Sequence, residues 1–123
     1  MSYTSEDWRV AITNMIKKTS KGEITWEATD MVKSDPWREI DRSFKCELKD
    51  KIYVVSMTKK KNYFEEDEYY WQAGNEFSIF VHREFDFELL ASAPEDLNVV
   101  WQLYSIAESN FAYTKNALGD LLD

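Results

Sequence analysis

Trp8, Ile12, Met15, Ile16 and Thr19 recur at three- and four-residue intervals, a spacing that lines one side of a helix. Ser5 stands where a cap is needed, Glu6 and Asp7 suit the positive end, Lys17, Lys18 and Lys21 suit the negative end, and Gly22 supplies a stop. The pattern predicts an amphipathic helix from about Glu6 to Ser20 whose apolar stripe packs on a core. The stripe is too narrow, and the chain too acidic, for a basic membrane anchor. The period then shortens to two: Ile24 and Trp26 alternate with Thr25 and Glu27, so Glu23 to Ala28 is a short strand or extended segment with Trp26 roofing the core. Asp30, Ser34, Asp35 and Pro36 interrupt the pattern, and Pro36 turns Asp35 away from helix. A connection with room for one helical turn is expected up to about Asp41. Trp37 inside it is expected to be a satellite core contact, because Trp is usually well buried.

Phe44, Cys46 and Leu48 alternate with Lys45 and Glu47, and after Lys49-Asp50 a β-rich run resumes from Ile52 to Met57. These runs read as a hairpin. With a two-residue loop, Leu48 faces Lys51, Cys46 faces Tyr53 and Phe44 faces Val55; with a three-residue loop, Ile52 and Val54 join the face of Leu48 and Cys46. No Asn-Gly or Asp-Gly chooses between them, and one residue of slip exchanges the faces. Ala73-Gly74-Asn75 is a turn signal. Beyond it Phe77, Ile79 and Val81, then Phe85, Phe87 and Leu89, alternate with Ser78, Phe80, His82, Asp86, Glu88 and Leu90. They predict two antiparallel strands turning near Arg83-Glu84, with the first set as sheet core. Phe80 and Leu90 give the other face apolar positions that a helix or partner could cover.

Ser92 is placed as a cap, Pro94 is tolerated in a first helical turn, and Glu95 and Asp96 complement its dipole. A helix is therefore expected to begin there. Leu97, Val100, Trp101, Tyr104, Ala107 and Phe111 follow its period, and Val99, Leu103 and Ile106 widen the stripe enough to imply burial on more than one side. A break at Asn110 or Thr114 would precede a short helix holding Ala117, Leu118, Leu121 and Leu122, weakened by Gly119. The fold class that follows is α+β: an N-terminal helix, an antiparallel sheet of four or five strands, and one or two C-terminal helices packed on one face.

Helix ending in Thr19, Gly22, Ile24 and Trp26, a meander of strands, Leu103-Tyr104 with Ala107, and a tail of Ala117-Leu118 and Asp120-Leu121-Leu122 together resemble small uncharacterised bacterial and phage proteins. The resemblance implies an α+β fold and a bacterial or mobile-element origin, and brings no catalytic residues with it. Glu65 to Trp71 departs from it.

A length of 123 residues suits a single domain, and the hydrophobic fraction of 44% excludes a disordered chain. Three Gly and two Pro leave little room for long loops or phosphate cradles. The net charge of -8 repels phosphate backbones and anionic lipid, which argues against direct binding to nucleic acid or membrane. Met1 to Lys21 has no apolar run of signal-peptide or membrane-spanning length, and the lone Cys46 has no disulfide partner within the chain, so a reducing, cytoplasmic location is expected.

Candidate chemistry is sparse. A single His, His82, excludes a two-histidine metal site, and Cys46 alone cannot build a zinc cluster; no cofactor is expected. His82 lies near Glu84 and Asp86, and a strand or turn could pair it with one of them as an acid-base unit, which would make a small enzyme or ligand-binding domain with a pocket between sheet and helices. Cys46 and His82 could also meet on adjacent strands, although the alternation around Cys46 predicts a buried, inert thiol. The remaining feature is a charge contrast: Lys59, Lys60, Lys61 and Asn62 precede Glu65, Glu66, Asp67 and Glu68, which run into Tyr69, Tyr70 and Trp71. A solvated connection between strands would explain it. So would a docking patch for a basic protein surface, because Tyr and Trp dominate binding hot spots and acidic charge speeds encounter with a cationic partner. The second reading predicts a non-enzymatic regulator or inhibitor, such as a phage-type inhibitor or an immunity protein, whose partner is a nucleic-acid-handling enzyme or a toxin. A third possibility is an oligomer, a homodimer for instance, with those aromatics as its interface.

Overall fold

The computed structural model describes residues 1–95 and 97–122. Helix α1 (Ser5–Ser20) is capped one residue earlier than the sequence suggested. The Thr4 hydroxyl accepts the Asp7 backbone N–H at 3.1 Å, and the Asp7 carboxylate accepts the Thr4 N–H at 2.8 Å, which closes a capping box. At the other end Gly22, at φ 79°, lets its own N–H reach Thr19 O and that of Glu23 reach Lys18 O, satisfying carbonyls the helix would leave bare. The chain then runs extended. Only Glu27–Ala28 pairs as strand β1, yet Trp26 is 1% exposed: its N–H donates to Asn110 Oδ1 at 2.8 Å and its Nε1 to Thr19 Oγ1 at 3.0 Å. With both donors satisfied, the largest side chain of the segment can be buried without penalty.

Strands β2 (Arg38–Leu48), β3 (Lys51–Tyr63), β4 (Tyr69–Arg83) and β5 (Asp86–Ser92) follow β1 in spatial order, every pair antiparallel. The β2–β3 loop is the two-residue Lys49-Asp50, with Lys49 at φ 61°; Leu48 faces Lys51, Cys46 faces Tyr53 and Phe44 faces Val55. That register turns Phe44, Cys46, Val55 and Phe77 toward the helices. There Trp8 meets Phe77 edge-on at 6.2 Å, and Phe44 packs on Tyr104 and Phe111 of helix α2 (Asn98–Thr114) at 5.7 and 5.4 Å. The opposite face is mixed. Ile52, Val54, Ser56 and Thr58 are buried on it, and Ser43 and Ser56 share a hydrogen bond at 2.8 Å.

Several expectations are overturned, each for a local reason. Arg38 to Asp41 belongs to β2 rather than to a connection, because the Asp35 carboxylate accepts the N–H groups of Trp37 and Arg38 and folds Asp35-Pro36 into a tight turn just before the strand. Trp37 sits in that turn, 62% exposed, and is not a core contact. Ala73-Gly74-Asn75 is no turn: Gly74 lies opposite Thr58, whose hydroxyl donates to its carbonyl at 3.3 Å, and β4 runs straight through. The β4–β5 reversal is Glu84-Phe85, so Phe85 stands 98% exposed, while Phe87 and Leu89 pair with His82 and Phe80 on the face away from the helices. A two-residue turn, at Arg83-Glu84 or at Glu84-Phe85, sets odd positions of β5 opposite even positions of β4, so Phe87 and Leu89 cannot share a face with Phe77, Ile79 and Val81; moving the turn by one residue takes only Phe85 out of the sheet. Leu90 is the unpaired residue of a bulge.

Helix α2 starts at Asn98, not near Ser92, because Ser92 is still paired with Ser78 and the Ala93 N–H donates to Phe77 O. Asp96, expected to serve the helix dipole, lies outside the described residues. Val100, Leu103, Tyr104 and Ala107 are buried, whereas Trp101 of the same stripe is exposed. The final short helix α3 (Gly119–Leu122) excludes Ala117 and Leu118 and buries nothing. No helix among the described residues is long and apolar enough to cross a membrane.

Face assignment is testable by stability. Phe44→Ala should cost about 3–5 kcal/mol and Phe87→Ser about 1 kcal/mol or less in urea unfolding; equal costs would contradict the register. Alkali gives a second check. Burial pushes the Cys46 thiol from 9.0 up to about 12, and burial followed by the Glu108 charge pushes Tyr104 from 10.0 up to about 12. Both groups hold their proton more tightly when folded, so this stability is complete below pH 9 and is lost as pH rises toward 12. Each should contribute a slope of at most about 1.4 kcal/mol per pH unit in its window. Cys46→Ala should flatten the fall between pH 9 and 10, measured as urea midpoints at half-unit steps.

Candidate functional site

Strands β3 and β4 outrun the helices that cover the sheet. Helix α2 ends its coverage near Arg42, whose Nη1 meets Glu108 Oε2 at 3.3 Å. Beyond the Met57–Asn75 pair the two strands continue together through Lys59–Ala73, Lys61–Trp71 and Tyr63–Tyr69. At strand rise that is an arm of about 20 Å. Glu65, Glu66, Asp67 and Glu68 form its tip, closed by the Phe64 N–H donating to Glu68 O at 3.1 Å. They are exposed, and among the described residues none of them enters an ion pair.

The residues singled out from sequence are therefore split by strand parity. Tyr69 and Trp71 lie on the face that carries the helices further along, whereas Tyr70 lies on the other, stacked with Phe64 at 6.4 Å. On the Tyr69 face the fold adds side chains that were not expected. Lys61 donates its backbone N–H to Trp37 O, which places Trp37 beside Lys61 on one side and Trp71 on the other. Ring contacts join Trp37 to Tyr63 at 6.0 Å, Tyr63 to Tyr69 at 5.3 Å, and Tyr69 to Trp71 at 5.8 Å with their planes at 90°. All four rings are exposed. The alternation Lys59, Lys61, Tyr63 against Tyr69, Trp71, Ala73 carried this face in the sequence. Trp37 had no such signal, since a Pro turn brings it in.

The three lysines have separate fates. Lys59 lies 3.8 Å from Asp41 and, with Glu39, Trp71 and Ala73, lines a shallow depression of about 210 Å³ beside the rings. Lys60 points to the other face, where it bonds Glu95 and lies 3.5 Å from Glu76, itself 3.0 Å from Arg38. The hydrogen bond to Glu95 raises the Lys60 pKa, and Lys60 in turn holds the Glu95 carboxyl below its ordinary value. This chain of charges ties β2, β3, β4 and the segment before α2 together. Lys61 has no ion pair among the described residues; its Nζ stands 4.6 Å from the Tyr69 ring centre and 5.5 Å from that of Trp71.

The other candidates come apart. His82 is exposed on the face away from the helices, with Nε2 3.9 Å from Glu47 Oε1, so it does not open into a pocket between sheet and helices. Glu84 is in the β4–β5 turn, and the Asp86 carboxylate accepts the Phe87 N–H. Cys46 faces the helices on β2, separated from His82 by β3 and by the thickness of the sheet; it is buried and protonated. Among the described residues no group of three or more His, Cys, Asp or Glu is arranged to hold a metal ion.

Exposed rings joined to one another and to Lys61 should matter little to folding. Trp71→Ala, Tyr63→Ala and Trp37→Ala are each expected to shift unfolding free energy by about 1 kcal/mol or less, read from urea titrations. Losses near those of Phe44→Ala would make the cluster part of the core.

No protein-family model matches the chain, and no curated protein or solved structure is significantly similar to it.

Proposed function

We propose that the protein is a non-enzymatic binding protein that captures a basic protein surface with the β3–β4 arm and thereby regulates or inhibits its partner. The observation that carries this reading is the contiguous row of Trp37, Tyr63, Tyr69 and Trp71, exposed on an arm that lies beyond the helices and ends in four exposed acids. Aromatic side chains are the residues that interfaces use as anchors, and their exposure in water is unfavourable until a partner covers them. The acids at the tip give a cationic partner a preferred direction of approach. Inhibitors of nucleic-acid-handling enzymes and immunity proteins against basic toxins are the partners' counterparts with this chemistry, since the net charge of -8 can stand in for a phosphate path. The buried thiol of Cys46 suits a reducing, cytoplasmic setting.

A homo-oligomer is the second reading. Phe80 and Phe87 meet edge-on at 5.5 Å beside the exposed Leu89 on the face opposite the helices, an apolar area that a second copy could cover. Light scattering across a concentration series distinguishes it: a dimer that survives Trp71→Ala but not Leu89→Lys would favour the second reading.

Capture from a bacterial lysate tests the first. A partner retained by the wild type should be lost when Glu65, Glu66, Asp67 and Glu68 are all replaced by Lys, with association slowed roughly tenfold or more at low salt and less so at high salt. Trp71→Ala should instead speed dissociation. Retention unchanged by the charge reversal would sink the reading.

A further inference from the structure

Resting on the reading of the arm as a binding surface, we propose that its aromatic face is a cage for a single cationic side chain, a guanidinium or alkylammonium group of the partner, and that Lys61 occupies this cage until the partner displaces it. Tyr69 and Trp71 stand at 90° to one another, so their faces form two walls of a corner rather than one flat platform. The Lys61 ammonium lies near both ring centres, at 4.6 and 5.5 Å, within the range where a ring quadrupole attracts a cation. Tyr63 and Trp37 extend the rim on the far side of Lys61.

The neighbouring charges separate Lys61 from the other lysines. Lys59 lies near Asp41, and Lys60 lies against Glu95 and Glu76, whereas among the described residues Lys61 meets the rings and no carboxylate. Lys61 is half-buried, and an ammonium held by rings rather than by a carboxylate is weakly held, so a competitor of the same charge meets little resistance. Guanidinium competes best, because its flat, less hydrated head stacks on a ring face where a compact ammonium loses more hydration. The exposed acids of the tip favour the same class of ligand and oppose an anionic one. A single nucleic-acid strand could also stack on exposed rings, but it would bring its phosphates toward Glu65 to Glu68.

The intrinsic lysine makes the test sign-sensitive. Binding of an octa-arginine peptide would be measured by calorimetry at two salt concentrations for the wild type, Lys61→Met, Lys59→Met and the double variant Lys61→Met with Trp71→Ala. Lys59→Met removes the same charge on the same face without emptying the cage and also releases Asp41, so it reports an electrostatic gain at least as large as the one expected from the lost charge of Lys61. The cage predicts that Lys61→Met strengthens binding beyond Lys59→Met by roughly fivefold, and that adding Trp71→Ala removes the excess. In the Lys61→Met protein, tetramethylammonium should also shift the Trp71 indole resonance in a proton–nitrogen spectrum, since this probe has charge but no hydrogen-bond donor. Equal gains from Lys61→Met and Lys59→Met, an excess that survives Trp71→Ala, or tighter binding of an oligothymidylate than of the peptide would each overturn the cage. Equal gains accompanied by loss of peptide on reversing the tip acids would overturn the cage while leaving the arm as the binding surface. Equal gains with peptide binding unchanged on reversing the tip acids would count against both.

Discussion

The reversal at Lys49-Asp50 is the constraint on which the rest of the structure depends. Side chains on a strand alternate between faces, so a loop one residue longer would have turned Ile52 and Val54 toward the helices in place of Tyr53 and Val55. The two-residue loop instead sets Phe44 opposite Val55, and β4 continues the same parity by placing Phe77 opposite Val55. Helices α1 and α2 then have one contiguous apolar surface to cover. The same parity, carried past the point where α2 ends, puts Lys61 beside Trp71 and Tyr63 beside Tyr69. Core and arm are therefore products of one register.

What differs between them is coverage. Val55 and Tyr63 are on one strand and one face, yet the first is buried and the second exposed, because α2 lies across the sheet only as far as the row of Arg42. Apolar burial supplies the stability of the covered half. The uncovered half holds its shape by strand pairing, by ring contacts, and by the charge chain from Arg38 through Glu76 and Lys60 to Glu95 on its other face. An arm built this way can present rings to a partner without weakening the core, since few of its side chains belong to that core.

Much of the scaffold could be read from period alone. The stripe of α1, the alternation around Cys46 and the helical spacing from Val100 to Ala107 all reflect local geometry, and the elements formed where that geometry was unambiguous. Reading failed where a residue has two good uses. Gly74 could turn the chain, but in β4 it fits opposite Thr58; Ser92 could cap a helix, but it pairs with Ser78; Trp37 could fill a core, but Asp35 and Pro36 hold it in a turn. In each case a long-range pairing or a turn hydrogen bond outweighed the local preference. The acidic run was legible as a charge contrast, whereas the four-ring face was not, because Trp37 reaches it from more than twenty residues away.

By itself the sequence determined the fold class, the single buried thiol, the lack of a paired His site, and the presence of acids next to aromatics between Glu65 and Trp71. Those follow from composition and from periods that are local in the chain. Only the tertiary structure decided that Tyr69 and Trp71 share a face with Tyr63, Trp37 and Lys61 while Tyr70 does not, and that Phe87 and Leu89 turn away from the helices. Strand pairing places side chains beside residues distant in sequence, and a shift of one position reverses the face; such a choice is made by the sum of the pairings rather than by any segment alone.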